Sequence, residues 1–388
     1  MKWSLLINSI KRGCRYFVSR RVYFVSLVLV PIAFTLFFID LMDEGLPLKV
    51  PTAIVDLDDS PLSRTITRNL NAGELLDIRY KSESFHDAID KVRGGEIFGF
   101  FMIPERFQEK ALGGDKPTIT YYSNMTYFVP GTLSFKGFKS VAVTTAGGIV
   151  QTTLVGMGLD EGTAGNLLQP VVVDNHPIGN PWLNYSIYLC NSFIPGIIAL
   201  MVMLVTAYSI CDEIKKGTSV QWLREGGNSM LISLIGKLAP QSFMAICVGV
   251  FIQSLLYGYN HFPLNNHAMH MIAAMVLLVI GCQAFAVTIC CILPNLRLAV
   301  SILSLVGILS FSVTGFSFPV QSMYGGIGIF SYLIPLRYYF LIYVDQALNG
   351  IPIFYSRWYY IALLSFPLIS LLGLWKLKRR CLNPVYVP

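Results

Sequence analysis

Charge is what this 388-residue sequence has least of. Only 13% of its residues are Asp, Glu, Lys or Arg, whereas an ordinary soluble domain carries about 25%. Hydrophobic residues make up 54% of the chain and the mean hydropathy is +0.58. This balance excludes an ordinary soluble protein and indicates a polytopic α-helical membrane protein.

The sequence also lacks the residues that several kinds of site require. No cysteine occurs between Cys14 and Cys190, so the long polar stretch between them contains no disulfide. The five histidines are scattered, and only His267 and His270 could share a helix face, which is too few ligands for a metal site. No G-x-x-x-x-G-K-[ST] loop occurs, so the chain cannot cradle the phosphates of ATP itself. These absences argue against a membrane enzyme.

Apolar runs long enough to cross a bilayer occur six times, since about 20 helical residues span the hydrocarbon core. The spans are predicted at residues 22–41, 186–210, 231–257, 269–293, 297–316 and 357–376. The net charge of +7 collects beside the span ends, which favours a membrane surface over nucleic acid as the partner. With six spans, the basic residues before the first span, between the second and third, between the fourth and fifth, and after the sixth all fall on one side. The positive-inside rule makes that side cytoplasmic. Both termini, including a tail at 377–388, are then expected in the cytoplasm, and the protein in a bacterial inner membrane.

Residues 1–21 are predicted to form an amphipathic helix that lies in the lipid headgroups. Apolar and polar positions alternate with helical period, which is typical of an interfacial helix. No small-residue cleavage site follows, which favours an uncleaved anchor over a signal peptide. The residues assigned to this interfacial helix include Trp3, Leu6, Ile7 and Ile10 on its apolar side, and Lys11 and Arg12 on its polar side.

Residues 42–185 are predicted to form an α/β domain outside the cytoplasm, inserted between the first two spans. Strands at 53–56, 97–103 and 119–122 alternate with helices at 61–70, 85–92 and 104–112. One or two longer helices are expected at 131–158. The acidic run at 56–60 suggests a calcium loop, but Pro61 replaces the Gly of that motif and Thr67 replaces its final Glu. A strand-to-helix turn with an N-cap is therefore favoured.

The longest mixed-charge stretch outside that domain is 211–230, between the second and third spans. Gly217 is predicted to end the preceding helix, and Thr218 with Gln221 has the spacing of a capping box. Trp222 and Leu223 give the new helix an apolar side. A short amphipathic helix in this place suits docking of a soluble partner, and a solvated connector is the alternative.

Residues 317–350 are too apolar for an ordinary loop and too interrupted by glycine and proline for one helix. Two short helices are predicted to dip into the outer leaflet, with Pro319 near the start of the segment and a break before Pro335. Arg337 is predicted to lie at the outer interface, where its head can snorkel to water. A seventh span is the alternative, but it would place the last basic cluster outside and break the charge rule.

The order of these segments resembles that of type-2 (type V) ABC exporter permeases, specifically the multidrug-type branch with a large extracytoplasmic domain after the first span. The family usually has a proline soon after the residue that matches Leu223, where this sequence has Gly226-Gly227-Asn228. The resemblance covers essentially the whole chain. It rests on four motifs: Asn180-Pro181-Trp182…Tyr185, Glu213…Gly217-Thr218…Leu223…Gly236-Lys237, Gly315…Phe318-Pro319…Met323, and Pro335…Gly350.

The resemblance implies a transport subunit rather than an enzyme, with no cofactor of its own. It implies dimerisation with a second permease copy or a paralogue, and coupling to an ABC ATPase subunit that binds ATP and Mg²⁺. In that family the N-terminal helix and a coupling helix lie in grooves of the ATPase. Glu213 would anchor the contact by its charge, while Trp222 and Leu223 would form an apolar plug. The residues expected to couple to the ATPase are Glu213, Gly217, Thr218, Gln221, Trp222, Leu223 and Lys237.

The resemblance also implies a substrate path at the dimer interface, lined by the second and fifth spans. Small and hydroxyl residues there serve helix packing equally well. The five later spans contain no Asp or Glu, which argues against a proton- or sodium-coupled transporter and suits export of an amphipathic or lipophilic cargo. The outer domain would hand this cargo to a periplasmic adaptor or an outer-membrane channel; a membrane-anchored sensor is the alternative function. The candidate path residues are Asn191, Ser192, Phe193, Phe311, Ser312 and Thr314.

Overall fold

The computed structural model of the chain describes residues 2–43, 45–113, 115, 117–168, 179–180 and 184–384. Pro181 and Trp182 of the first resemblance motif, and the last four residues of the tail, lie outside the described residues. The chain divides into two compact units. The membrane unit comprises Met1–Gly45 and His176–Pro388, and the inserted unit comprises Leu46–Asn175.

Six helices of the described membrane unit are long and apolar enough to cross a bilayer, which confirms the predicted number. Their prolines are accommodated without breaking them, as is common where neighbouring helices and Ser or Thr side chains satisfy freed backbone groups. Spans 1 to 6 are Arg21–Leu41, Tyr185–Lys215, Met230–Tyr259, Ala268–Ile292, Leu296–Val313 and Ile353–Leu382.

Span 2 lies at the centre of the membrane unit and packs against spans 1, 4 and 5. It starts where the Asn184 side chain accepts the backbone N–H of Ser186 at 2.7 Å, an N-cap that satisfies one free donor. Most of its side chains are apolar and most are buried. A helix that is hydrophobic on every side is stable only when other helices surround it.

The N-terminal helix, Lys2–Ser19, exposes part of its apolar side and packs its polar side against span 3. Trp3 and Ile7 are exposed, as an interfacial helix requires. On the packed side Ser9 and Gly13 face Gly236 of span 3 so closely that a Cβ on Gly13 would lie 2.1 Å from the Gly236 carbonyl oxygen. Small residues therefore set this helix contact.

A bent pair of helices, Gly325–Ser331 and Pro335–Leu348, follows span 5, and the two members meet at 80°. Pro335 stands at the first helical position of the second member, where its missing N–H costs no bond. Pro319 is exposed and precedes a single 3₁₀ turn, Val320–Ser322. The pair passes as a seventh span only if its two members are counted together.

Arg337 does not snorkel to water, so that prediction was wrong. Its side chain is 6% exposed, its Nη1 donates to the Thr314 carbonyl at 2.8 Å, and its guanidinium lies 4.7 Å from the Tyr332 ring centre. Thr314 ends span 5, and the last carbonyls of a helix have no partners within it. A cation at this end is stabilised by the helix dipole, so Arg337 caps span 5 from inside the protein.

Where the structure describes the inserted unit, it contains four strands, β1 Val50–Asp56, β2 Leu76–Lys81, β3 Gly99–Ile103 and β4 Thr120–Ser123. They form one sheet in the order β2-β1-β3-β4, parallel except for the β3–β4 pair. Its helices are α1 Pro61–Ala72, α2 Phe85–Arg93, α3 Phe107–Leu112, α4 Phe128–Gly156 and α5 Glu161–Leu168. The predicted α/β composition is confirmed, although β2 was missed.

Strand β1 is buried on both faces, as a central parallel strand should be. Ile54 and Phe101 of β3 pack against α1 on one face, while Ala53 and Phe100 pack against α2 on the other. The run after β1 is the predicted turn, because the Ser60 side chain accepts the Ser63 N–H and caps α1. Helix α3 begins at Phe107 rather than at Pro104, because the Asp58 carboxylate accepts the first free N–H groups there.

Candidate functional site

The last turn of span 2 contains two consecutive acidic residues that are almost completely buried. Asp212 and Glu213 are 3% and 1% exposed. The chain turns at Gly217, whose φ of +69° suits glycine. The connector helix, Ser219–Glu225, begins two residues later. Buried carboxylates need charged or hydrogen-bonding partners, and those partners come from four separate parts of the chain.

The Glu213 carboxylate joins three elements. Lys237 of span 3 places its Nζ 2.5 Å from Oε1, and Lys237 is itself only 3% exposed. Arg12 of the N-terminal helix approaches the same oxygen at 3.5 Å. The Thr218 hydroxyl, ahead of the connector helix, donates to the other oxygen. Removing any one of these partners would leave a buried charge uncompensated and would destabilise the fold.

Thr218 and Gln221 do not form the predicted capping box. Thr218 does occupy the N-cap position of the connector helix, but its hydroxyl bonds the Glu213 carboxylate instead of a free N–H. Gln221 points the other way and donates to Glu225 at 3.0 Å on the exposed side. An ionised acceptor makes the stronger hydrogen bond, so the neighbouring carboxylate takes the hydroxyl.

Asp212 binds a second set of partners. Tyr16 donates its hydroxyl at 2.7 Å, Arg20 forms an ion pair, and Lys216 lies 3.1 Å away. Burial, together with the bond to Asp212, raises the pKa of Tyr16 far above its usual value, so the phenol remains a donor. We call the buried and half-buried members of both sets the ion-pair cluster: Arg12, Tyr16, Arg20, Asp212, Glu213, Thr218 and Lys237.

The connector helix is bound to spans 3 and 6 as well. The Trp222 indole N–H donates to the Ser233 carbonyl of span 3 at 3.2 Å, and the Lys237 ammonium lies 4.6 Å from the indole ring. The Ser219 hydroxyl donates to the Cys381 carbonyl at the end of span 6 at 2.8 Å. The two side chains expected to plug into a partner, Trp222 and Leu223, are thus buried within this chain.

A polar groove of about 520 Å³ runs between the N-terminal helix and the connector helix. The ion pair between Arg12 Nε and Glu225 Oε2, at 3.3 Å, joins the two helices across it. Exposed residues from both helices line the groove, which is open at the protein surface: Asn8, Lys11, Arg15 and Ser19 from the first, and Gln221 and Glu225 from the second.

A family model described as ABC-2 family transporter protein matches residues 21–376 of the chain. The chain belongs to this family. The resemblance expected from the sequence is therefore confirmed, and the protein is an ABC-2 permease, the membrane subunit of an ABC transporter. No curated protein matches the chain.

The ABC-2 permease brings together most of its candidate path residues at the contact between spans 2 and 5. Phe193 and Phe311 stack with ring centres 5.1 Å apart. Asn191, Ser192, Phe311 and Thr314 line a cavity of about 10 Å³, which is barely the space of one water molecule. Ser312 is exposed instead. Little free space therefore remains between spans 2 and 5 at this contact.

Three residues of the ion-pair cluster were not predicted from the sequence. Tyr16, Arg20 and Asp212 were not singled out for the site. The signal available was the four-residue spacing of Arg12, Tyr16 and Arg20, which aligns them along one side of a helix. That spacing does not tell which acids, about two hundred residues away, complete the cluster.

Proposed function

We propose that this ABC-2 permease exports an amphipathic or lipophilic substrate from the cytoplasm or the inner leaflet, driven by a separate ATPase subunit. The observation that carries the proposal is the ion-pair cluster. It ties the connector helix to the N-terminal helix and to spans 2 and 3, and Ser219 adds span 6. A partner that binds the exposed side of the connector helix in one nucleotide state more tightly than in another would shift all of these elements together.

The ATPase subunit, holding ATP and Mg²⁺, would dock on the groove and on the exposed side of the connector helix. Glu213, Trp222 and Leu223 are buried within the chain and would hold the connector helix in place without contacting the ATPase. Exposed neighbours such as Arg15, Gln221 and Arg224 would contact the ATPase directly. This division suits force transfer, because a buried network of charged hydrogen bonds rigidifies the elements that it joins.

The proposed orientation places both termini and the connector helix in the cytoplasm, and the inserted unit in the periplasm of a bacterial inner membrane. It is supported by the cations near the ends of spans 1, 2 and 6. A second permease copy or a paralogue would complete the path at spans 2 and 5. The inserted unit would pass the substrate to an adaptor or outer-membrane channel.

Reversing the charge of Arg15 and Arg224 together should release the ATPase subunit. Both side chains are exposed and none of the described carboxylates pairs with them, so the permease should keep its melting temperature. An ATPase surface that pairs with these arginines would then face a charge of its own sign, and like charges across an interface cost several kcal/mol. We expect the ATPase recovered with the Arg15→Glu/Arg224→Glu variant from the native host, and the vanadate-sensitive hydrolysis, to fall at least tenfold.

The matched control is Lys136→Glu/Lys139→Glu, which makes the same change of charge on exposed positions of α4 in the inserted unit. This variant should retain the ATPase. Equal recovery of the ATPase with both variants would show that the groove is not the docking surface.

A further inference from the structure

A second cavity, of about 600 Å³, opens where spans 4 and 6 end. Lys376, Arg379 and Arg380, in the last turns of span 6, line one side of it. Ile292 at the end of span 4 and Pro294 in the following turn line the other. The cavity thus combines three cations with an apolar wall.

These three cations differ from those of the ion-pair cluster. Arg12, Arg20 and Lys237 each lie within 4 Å of a carboxylate. Within residues 2–384, as far as the structure describes them, no carboxylate forms an ion pair with Lys376, Arg379 or Arg380. Three cations around one cavity repel each other unless an anion joins them. The cavity therefore has the charge of an anion site.

The apolar wall distinguishes a lipid from a soluble anion. Ile292 and Trp375 are 65% and 62% exposed, and the Lys376 ammonium lies 5.7 Å from the Trp375 ring centre. Trp beside a cation at the end of a membrane span is typical of the level of the headgroups. Both side chains belong to membrane spans, so an acyl chain can cover them while the headgroup of the same lipid reaches the cations.

We propose that this cavity binds an anionic glycerophospholipid. Its phosphate would lie among Lys376, Arg379 and Arg380, and an acyl chain would lie along Ile292 and Trp375. Basic pockets between membrane helices bind such headgroups. The neighbouring Cys381 carbonyl accepts the Ser219 hydroxyl, so the lipid would steady the end of span 6 that holds the connector helix.

Native mass spectrometry of the purified permease, without ATPase, would test this proposal separately from the proposed function. Phosphatidylglycerol and phosphatidylcholine are offered at equal concentration, and wild-type protein should retain the anionic lipid. Each surface cation contributes about fivefold to such binding. The Lys376→Gln/Arg380→Gln variant should therefore bind phosphatidylglycerol roughly 30-fold more weakly, with an unchanged melting temperature in phosphatidylcholine.

The control variant Lys378→Gln/Arg297→Gln removes two positive charges near the ends of spans 6 and 5, outside the cavity lining. It should bind phosphatidylglycerol as wild type does. An equal loss in the control, equal retention of both lipids, or displacement by millimolar inorganic phosphate would overturn the proposal. If wild type shows no lipid preference and the Lys376→Gln/Arg380→Gln variant loses the ATPase, an acidic protein surface covers the cavity instead.

Discussion

Replacing Glu213 with glutamine is expected to lower the free energy of unfolding by about 3–5 kcal/mol, the usual effect of removing one partner of a buried ion pair. The side chain keeps its size, but the Lys237 ammonium, 3% exposed and 2.5 Å from the carboxylate, loses its counter-charge. The Thr218 hydroxyl loses its ionised acceptor as well. Thermal unfolding in detergent should show a clearly lower melting temperature for Glu213→Gln.

The double variant Glu213→Gln/Lys237→Met should recover most of that stability, because replacing both members of a buried pair is often neutral. Arg12 keeps its ion pair with Glu225 in this variant. Asp90→Asn, which breaks an exposed pair with Arg93, is the control and should leave the melting temperature unchanged. A Glu213→Gln variant as stable as wild type would mean that the cluster does not hold these elements together.

Adding one methyl group to Gly236 is expected to separate the N-terminal helix from span 3. Its Cβ would lie 2.5 Å from Ser9 Cβ and 2.7 Å from the Ser9 carbonyl carbon, so backbone has to move. Overpacking of this kind typically costs about 1–3 kcal/mol. The shift would also pull Arg12 from Glu213 and Tyr16 from Asp212. Trypsin should cleave after Arg12 several-fold faster in Gly236→Ala than in wild type.

Gly258→Ala is the matched control, since Gly258 belongs to the same span and a Cβ there meets nothing within 4 Å. Its cleavage rate and melting temperature should equal those of wild type. If Gly236→Ala behaves like Gly258→Ala, the N-terminal helix does not depend on close contact with span 3.

Local patterns in the sequence predicted much of the fold. Runs of apolar residues predict the six spans because each run must be long enough to cross the bilayer, whatever its neighbours. Helix α1 followed from Pro61 and the Ser60 cap. Strand β2 was missed because Leu76–Lys81 mixes charged and apolar residues, and its place beside β1 is decided by tertiary pairing.

The candidate site depended on partners that are distant in sequence. Thr218 has the spacing of a cap, but Glu213 competes for its hydroxyl. Arg337 lies in a segment whose composition is typical of a membrane interface, but its guanidinium donates to the Thr314 carbonyl at the end of span 5. In both cases the side chain forms a charge-assisted hydrogen bond with an acceptor that only the folded chain brings close to it. Sequence spacing alone does not reveal that acceptor.

The central claim is that a separate ATPase docks beside the connector helix, and crosslinking in the native host tests it most directly. A photo-crosslinking residue replaces the exposed Gln221, or, in a parallel strain, Arg93 of α2 in the inserted unit. The account predicts that an ATPase subunit is captured from position 221 and not from position 93. Capture of the ATPase from position 93, or no capture from position 221, would contradict it.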